Sequence, residues 1–347
     1  MLKATLFCFV CCALSLAVSR STLASDNPHS VVYQGSGGPG EGKHIVLIAG
    51  DHEYRGEETL PALGRILAKR YGFRCSVFFT IDPESGAIEP GSSHIGGLEA
   101  LETADLMIVF LRFQDFPREQ MQHVVDYLDR GGPVMGLRTS THAFKMDGGP
   151  FKRFSTYYAG DDFKGGFGRQ ILGETWVGHY GTNHKQSSLL ILENDQRSHP
   201  ILRGVNNVHV QCGGYKAYPI EGSVTLARGR ILHGMNADAE PDSTKQELPV
   251  AWVRTYESES GKRGRVFTTT HGASEDILND GFRRMLVNGS LWCLGMDDAI
   301  TPDGPIAFVG PYHPSTFSFG GHRKGIRPAA LAGWDSPILI DPARSSQ

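Results

Sequence analysis

Continuous apolar runs alternate with helical patterns along the first half of the chain. Four runs have the composition of strands buried on both faces: 44–50, 75–80, 105–111 and 133–137. Between the first two runs, Leu60, Leu63 and Leu67 recur at helical spacing. Strands that alternate with helices are typical of βαβ units with right-handed crossovers. The pattern therefore predicts an α/β fold of three layers, in which a mostly parallel sheet carries helices on both faces.

Proline and glycine mark the expected helix ends. Pro61 suits a first helical turn and Gly72 suits the position after a last turn, while Pro117 and Gly131 bracket a second helix. We therefore expect one helix between the first two strands and another between the third and the fourth.

The second half of the chain is less regular. Residues 145–248 are rich in glycine, so we expect loops and short strands that cover a cleft. Strand patterns return at 250–254 and 265–270, and a last helix follows Ser274. The α/β domain is therefore expected to span 44–297.

The two ends of the chain have a different character. Lys3 precedes an apolar run over 6–18, and small residues follow it up to Ala24. This order is typical of a cleaved signal peptide, here 1–24; a membrane anchor is the alternative, which the short run disfavours. Residues 25–43 are rich in Gly, Ser and Pro and are expected to be a linker, and 298–347 an irregular extension packed on the surface. The protein is thus expected to be exported to the periplasm or the extracellular space, with no stable membrane insertion after cleavage.

Composition and short motifs limit the kinds of partner and cofactor that the protein is expected to bind. The formal net charge is only −3 and no long basic run occurs, which argues against nucleic acid. Of the six cysteines, only Cys75, Cys212 and Cys293 follow the predicted signal peptide, and three widely spaced cysteines do not form a disulfide framework. No P-loop or dinucleotide fingerprint is present. The sequence makes no prediction of a cofactor or of an oligomeric state.

Polar residues follow several strand patterns, where ligands bind in open parallel sheets. They are Asp51, His52, Glu53 and Arg55 after the first strand, Arg138 and His142 after the fourth, and His271 after the last. We expect His142 and His271 to act as acid and base, because imidazole exchanges protons near neutral pH, with Asp51 and Glu53 in support. His52, Arg55 and Arg138 are expected to bind the ligand. A structural hydrogen bond, or a solvated surface charge for Arg55, is the alternative for each.

The turn over 136–142 excludes two familiar chemistries. It holds no cysteine, which a glutaminase of similar build needs as its nucleophile. Its Ser140 lacks the glycine spacing of a serine-hydrolase elbow. The chain is therefore not expected to be a glutaminase, and its hydroxyls are expected to stabilise the turn.

The middle section carries another set of candidates, namely Trp176, His179 and His184. The two histidines alone do not establish a metal site, which needs three or four ligands, so metal binding stays open. Contact with a ligand fits them equally well, because an indole ring can stack on an apolar face. Core packing is the alternative for Trp176.

Taken together, the chain resembles the ThuA-like family, named for trehalose utilisation. The resemblance covers about 43–297 and is carried by five segments: 44–50 with its polar tip, 136–142, 199–201, 249–254 and 264–272. It implies a fold like that of class I glutamine amidotransferases, which is flavodoxin-like, and a role in sugar metabolism. Members are often encoded near sugar oxidoreductases, which makes oxidised glucosides an attractive substrate class.

These observations lead to one expectation and two alternatives. We expect an exported protein of carbohydrate utilisation that acts on a small glycoside or keto-sugar by acid/base chemistry, as a hydrolase, lyase or isomerase. A non-catalytic carbohydrate-binding module and a protein-interaction domain are the alternatives, so the sequence leaves open whether the protein is an enzyme.

Overall fold

The structure is a computed structural model, which describes residues 27–339. The predicted signal peptide, with its cleavage near Ala24, lies outside the described residues. No helix within 27–339 is both long and apolar enough to cross a membrane.

The elements alternate as the sequence predicts. The helices are α1 (Gly56–Tyr71), α2 (Arg118–Asp129) and α3 (Asp280–Cys293). The strands are β1 (Ser30–Gln34), β2 (His44–Gly50), β3 (Arg74–Phe79), β4 (Leu106–Leu111), β5 (Val134–Leu137), β6 (His179–Tyr180), β7 (Ser188–Leu192), β8 (Val208–Val210), β9 (Gly214–Tyr215), β10 (Val224–Ile231), β11 (Leu248–Glu257), β12 (Arg263–Thr269), β13 (Tyr312–His313) and β14 (Ile338–Leu339). Short helical turns fill several of the connections.

A large mixed sheet organises the domain, in the order β1-β3-β2-β4-β5-β12-β11-β10-β7-β8. The five adjacent central strands β3, β2, β4, β5 and β12 are parallel to one another. Numbered along the chain, these five strands have the order 2-1-3-4-5 of flavodoxin-like folds. Antiparallel β11, β10, β7 and β8 extend the sheet on one side, and antiparallel β1 closes the other. The predicted α/β fold class is confirmed, and the antiparallel extension is built largely from the irregular middle section.

The sheet is buried on both faces, which gives the domain its three layers. Ile45 and Leu47 belong to one apolar core with Leu63 of α1, and α3 packs in the same core. Val46 faces the other way, into a second core that includes Met121 of α2. Alternate residues of one strand therefore enter different cores, as the two-residue period of a strand requires.

Local sequence signals set several boundaries. Gly72 ends α1 with φ of 86° and donates its N–H to the Ala68 carbonyl at 3.0 Å. Asn279 caps α3, because its side chain accepts the Phe282 N–H at 2.9 Å. The start of α1 differs from the expectation, since the helix begins at Gly56 and Pro61 lies inside it.

The linker predicted over 25–43 instead contributes the edge strand β1, which pairs with β3. Alternate residues Val31 and Tyr33 are buried against the sheet, a two-residue period that the surrounding glycines and serines concealed.

The C-terminal extension is mostly irregular and wraps α1. Arg65 donates to the carbonyls of Leu331 at 2.9 Å and Ser336 at 2.7 Å, and Tyr33 donates to the Leu331 carbonyl at 2.8 Å. Phe317 is buried in the same apolar core as α1. The extension is therefore part of the domain and reaches the end of β2.

Candidate functional site

The site begins where the chain reverses its direction across the sheet, between the carboxyl ends of β2 and β4. In folds of this strand order, the crevice at this point binds the ligand. Arg112, directly after β4, donates from Nη1 to Nε2 of His52 at 2.6 Å. Its Nη2 lies 3.9 Å from Oε2 of Glu53. The two strand exits therefore meet in one crevice, which is called the crevice below.

Asp51 shapes the turn that follows β2. Its Oδ1 accepts the N–H groups of Glu53, at 3.0 Å, and of Tyr54, which fixes the turn by local hydrogen bonds. Asp51 therefore orients its neighbours in the crevice.

Arg55 holds the same turn from behind. Its Nη2 donates to the carbonyls of His52 and Glu53, each at 3.2 Å, and of Ser318 at 2.7 Å. The residue is fully buried and also pairs with Glu57 at 3.5 Å. Arg55 thus ties the extension to the β2 exit, and the alternative of a solvated surface charge does not describe it.

Arg138 is a fully buried cation that joins three loops. Its guanidinium lies between the rings of Tyr54 and Tyr215, 4.2 Å from each ring centre. Its Nη1 donates to the carbonyls of Gly213 and of Thr270, the latter at 2.7 Å. The exits of β5 and β12 and the loop before β9 are therefore held by one side chain.

His142 lies beside this cation in an aromatic enclosure. Its ring is 4.9 Å from that of Phe113, 5.1 Å from Trp176 and 5.7 Å from Tyr215. Burial, followed by the positive charges of Arg112 and Arg138, holds the pKa of His142 well below its usual value. The imidazole is therefore neutral at neutral pH.

The middle section supplies the opposite wall. Asn183 donates to Oε1 of Glu53 at 3.3 Å and to the Tyr54 hydroxyl at 2.8 Å, and that hydroxyl lies 3.2 Å from Nε2 of His179. Burial and the charges of Arg138 and Arg112 lower the pKa of His179 to about 4. Of the predicted residues, His179 thus faces the crevice, and Trp176 lies between it and His142.

Glu53 behaves differently from the histidines of the crevice. Burial and the neighbouring Asp51 carboxylate raise the pKa of Glu53 above its usual value, and Arg112 opposes this only in part. The pKa of His52 is lowered, chiefly by burial and by Arg112. Glu53 is therefore a crevice group whose pKa is shifted toward neutral pH.

His271 belongs to a separate buried cluster. Its Nδ1 lies 3.3 Å from the Sγ of Cys212, and this thiol donates to Oδ2 of Asp276 at 3.0 Å. The same carboxylate accepts backbone N–H groups from Gly272 and Ala273 at 3.0 and 2.9 Å. Burial, followed by the charge of Arg138, lowers the pKa of His271 well below its usual value, and Arg138 donates to the carbonyl of the preceding Thr270, so the cluster adjoins the crevice.

Cys212, His271 and Asp276 also have the residue types of a metal site, and their ligand atoms lie within 4.8 Å of one another. Both oxygens of Asp276 already accept backbone N–H groups. The Cys212 thiol in turn donates to Oδ2 of Asp276, so the three side chains satisfy one another without an ion. The donor set fits a hydrogen-bonded cluster better than a metal site.

His184 lies at the edge of the site. It is exposed, has φ of 62°, and its ring stacks on Phe317 of the extension at 4.4 Å. Phe317 in turn packs 5.1 Å from Tyr54. His184 therefore contacts the cover of the crevice.

Buried polar atoms without a hydrogen-bond partner among residues 27–339 concentrate around the crevice. They include Asp51 Oδ2, His52 Nδ1, Arg112 Nε, Arg138 Nη2, Trp176 Nε1, Asn183 Oδ1 and the hydroxyl oxygen of Tyr215. Buried polar groups are ordinarily paired, so this concentration indicates a place where a polar ligand completes the bonding.

The sequence model of the ThuA family, described as trehalose utilisation, matches residues 87–293. The chain belongs to the ThuA family. This membership implies a role in trehalose or carbohydrate utilisation. The matched part holds the exits of β4, β5 and β12, whereas the Asp51–Arg55 turn and the extension lie outside it.

Two solved structures are similar to this ThuA-family chain. A ThuA-like protein from Bacteroides uniformis is 13% identical, covers 78% of this chain and 98% of its own, and has a TM-score of 0.47. A second, from Parabacteroides merdae, is 12% identical, covers 82% of this chain and 98% of its own, and has a TM-score of 0.45. No curated protein matches the sequence.

The sequence patterns did not reveal every residue of the candidate site. Arg112 directly follows a predicted strand, so the rule that gave Asp51 and Arg138 would also have found it. Tyr54 and Tyr215 carried no signal of their own, because their role depends on Arg138, which is distant in sequence from both.

Proposed function

We propose that this ThuA-family protein is exported and transfers a proton to or from a small carbohydrate bound in the crevice. The reaction class is hydrolysis, elimination or isomerisation of a glycoside or keto-sugar. Family membership supports the carbohydrate, and the unpaired polar atoms of the crevice support a ligand rich in hydroxyl groups. The partner is a small molecule rather than nucleic acid, because the charge is close to neutral.

The raised pKa of Glu53 carries the assignment of the proton carrier. A group whose pKa approaches the working pH is an effective general acid or base, and Glu53 is shifted in that direction. Asn183 and Arg112 fix the two carboxyl oxygens, and Asp51 fixes the backbone N–H of Glu53. Glu53 is thus held in one orientation beside the crevice.

The histidines take a different part. His142 and His271 were expected to be acid and base, but burial and nearby arginines lower both pKa values well below neutrality. A neutral imidazole donates one hydrogen bond and accepts another, which suits His142 to a sugar hydroxyl. His271 acts through its cluster by positioning the loops that hold Arg138.

The cations supply electrostatic stabilisation. Arg112 and Arg138 both have buried N–H groups without a partner among the described residues. Oriented guanidinium groups in a buried site stabilise negative charge that develops on an oxygen during reaction. Elimination and isomerisation next to a carbonyl both develop such charge, so the arginines favour a keto-sugar among the proposed substrates.

The test begins with a screen of the purified mature protein against glucosides and their keto derivatives. Glu53→Gln should then lower kcat by about two to four orders of magnitude with a small change in KM, the usual range for a lost acid or base. It should also remove one limb of the pH profile, because the titrating group is gone.

Glu57→Gln is the matched control. Glu57 is also buried, and burial raises its pKa to about 8, but it lies on α1 and beside Arg55. If Glu53→Gln left kcat and its pH profile unchanged, or if Glu57→Gln altered them equally, the assignment of Glu53 would be overturned.

N-terminal sequencing of exported protein tests the predicted cleavage near Ala24. A retained Met1 would contradict that cleavage.

A non-catalytic carbohydrate-binding module is the second candidate. The lowered pKa values of His52, His142 and His179 favour it, since these imidazoles are neutral at neutral pH and are only weak proton acceptors. In that case Trp176→Ala should weaken sugar binding, while no glycoside or keto-sugar is turned over and Glu53→Gln changes only affinity.

A further inference from the structure

The rim of the crevice carries a strip of aromatic rings with a cation at its centre. Phe319, Arg112, Phe113 and Tyr157 make up this feature, called the outer strip below. The Arg112 guanidinium lies 4.6 Å from the ring centre of Phe319 and 5.0 Å from that of Phe113. The Phe113 ring is 6.1 Å from that of Tyr157. The four side chains thus form a continuous path of contacts that leads away from His52.

Both ends of the outer strip are exposed. Phe319 is 60% exposed and Tyr157 is 62% exposed, which makes them two of the most exposed large apolar side chains in the described structure. Scattered exposed apolar residues need no explanation, but these two are joined through Arg112 to the proposed proton carrier. Their exposure therefore lies at the entrance to the site.

The outer strip is held rigidly by the backbone beneath it. Gly320 donates its N–H to the His52 carbonyl at 2.9 Å, and Arg55 binds the Ser318 carbonyl, so Phe319 is fastened on both sides. Phe113 has φ of 50° and donates its N–H to the His142 carbonyl at 2.9 Å. Non-glycine residues adopt this left-handed conformation rarely, and such strain concentrates at binding sites.

We propose that the outer strip is a second sugar subsite, so that the substrate has at least two rings rather than one. This inference rests on the carbohydrate function proposed above and extends it. An aromatic ring offers an apolar face on which the C–H face of a sugar can stack, and it needs little ordering to bind. Arg112, between Phe319 and Phe113, keeps one guanidinium N–H, at Nε, without a partner among the described residues, and this group can donate to a sugar hydroxyl. The first ring would then bind beside Glu53, and the second along the strip.

The two halves of this arrangement differ in their relation to the family. Arg112, Phe113 and Tyr157 lie within the matched residues 87–293, whereas Phe319 comes from the extension beyond them. The outer strip is therefore completed by a segment outside the family match, which makes it a feature of selectivity in this chain.

Binding measurements on the full mature protein test the subsite. The probes are glucose as the single-ring ligand, with trehalose, maltose and cellobiose as two-ring ligands, and the keto derivative of each. At least one two-ring probe should bind about ten times more tightly than its single-ring counterpart.

Point changes at the exposed ends separate the subsite from the inner crevice. Phe319→Ala and Tyr157→Ala should each weaken the preferred two-ring probe about three- to tenfold, and the single-ring probe less than twofold. Phe319→Trp should restore the affinity, because it keeps a stacking face. Tyr218→Ala is the control for loss of an exposed ring, since Tyr218 is 58% exposed and comes from a different loop. Melting temperatures should be unchanged in all four variants because the side chains are exposed.

The outcomes distinguish this inference from the proposed function. Equal weakening of single-ring and two-ring probes, or no effect of either alanine variant, overturns the subsite. Preference for the single-ring probe with normal Glu53-dependent turnover also overturns it while leaving the proposed function intact. Failure of every probe to bind overturns both.

Discussion

The carboxylate of Asp276 accepts four backbone hydrogen bonds beside the crevice, so its removal tests how far one side chain holds the surrounding loops. Its Oδ1 accepts the N–H groups of Gln211 at 2.7 Å and Cys212 at 3.4 Å, and its Oδ2 accepts those of Gly272 and Ala273. The side chain is fully buried. Asp276→Ala therefore leaves four backbone donors without an acceptor in a dry environment.

The magnitude follows from these contacts. A buried donor without a partner costs about 1–3 kcal/mol, but four donors that share one carboxylate do not contribute additively. We expect Asp276→Ala to lower the free energy of unfolding by about 4 kcal/mol, at the upper end of single substitutions. Asp276→Asn should cost about 2 kcal/mol, because the amide keeps one acceptor oxygen but turns its NH₂ toward two donors.

Asp105→Ala is the control. Its Oδ2 accepts only the His44 N–H, at 2.8 Å, and its side chain is 38% exposed, so we expect a loss of about 1 kcal/mol. Urea unfolding, with the slope checked for constancy, measures all three variants. If Asp276→Ala cost no more than Asp105→Ala, the reasoning that this carboxylate organises the loops would be refuted.

Two further predictions concern stability. His44 is kept neutral because burial, followed by Arg74, lowers its pKa to about 4, whereas the unfolded chain takes up a proton near pH 6.5. The contribution of His44 to the free energy of unfolding is thus full above pH 6.5 and falls by up to about 3 kcal/mol as the pH drops to 4. His44→Gln should therefore flatten the curve of melting temperature against pH over this range. A curve as steep as that of the unchanged protein would contradict this. Gly72→Ala should cost more than about 2 kcal/mol, because φ is 86° and a Cβ would lie 1.7 Å from the Gly37 carbonyl oxygen. Gly37→Ala, at φ of 68° with open space, should cost only about 1 kcal/mol by urea unfolding, and similar costs at both positions would exclude the clash.

The sequence predicted those parts of the fold that depend on local pattern. The run over 44–50 is β2 without adjustment, since a strand buried on both faces leaves an uninterrupted apolar signal. Gly72 was placed after α1 because glycine is favoured where the backbone turns left-handed. The strand β1 was missed because its two buried apolar residues lie in a stretch rich in glycine and serine.

The site could be predicted only at the level of strand ends. The rule for open sheets brought Asp51, Glu53 and Arg138 to one edge, as the structure has them. It could not say that His271 turns toward Cys212, because side-chain direction depends on packing partners far away in sequence. Nor could it give the protonation of His142, which follows from enclosure by other loops.

The extension acts on the site through the scaffold as well as through its aromatic residues. Glu58 at the start of α1 accepts the backbone N–H and the hydroxyl of Ser315, each at 2.7 Å, and Arg65 binds the Leu331 and Ser336 carbonyls. Loss of the extension would remove these hydrogen bonds and expose the part of the apolar core to which Phe317 and Leu331 contribute, a cost of several kcal/mol. The same helix begins at the turn that orients Glu53. The extension therefore supports the crevice structurally, and its proposed role in substrate selection is best tested by point changes at exposed positions.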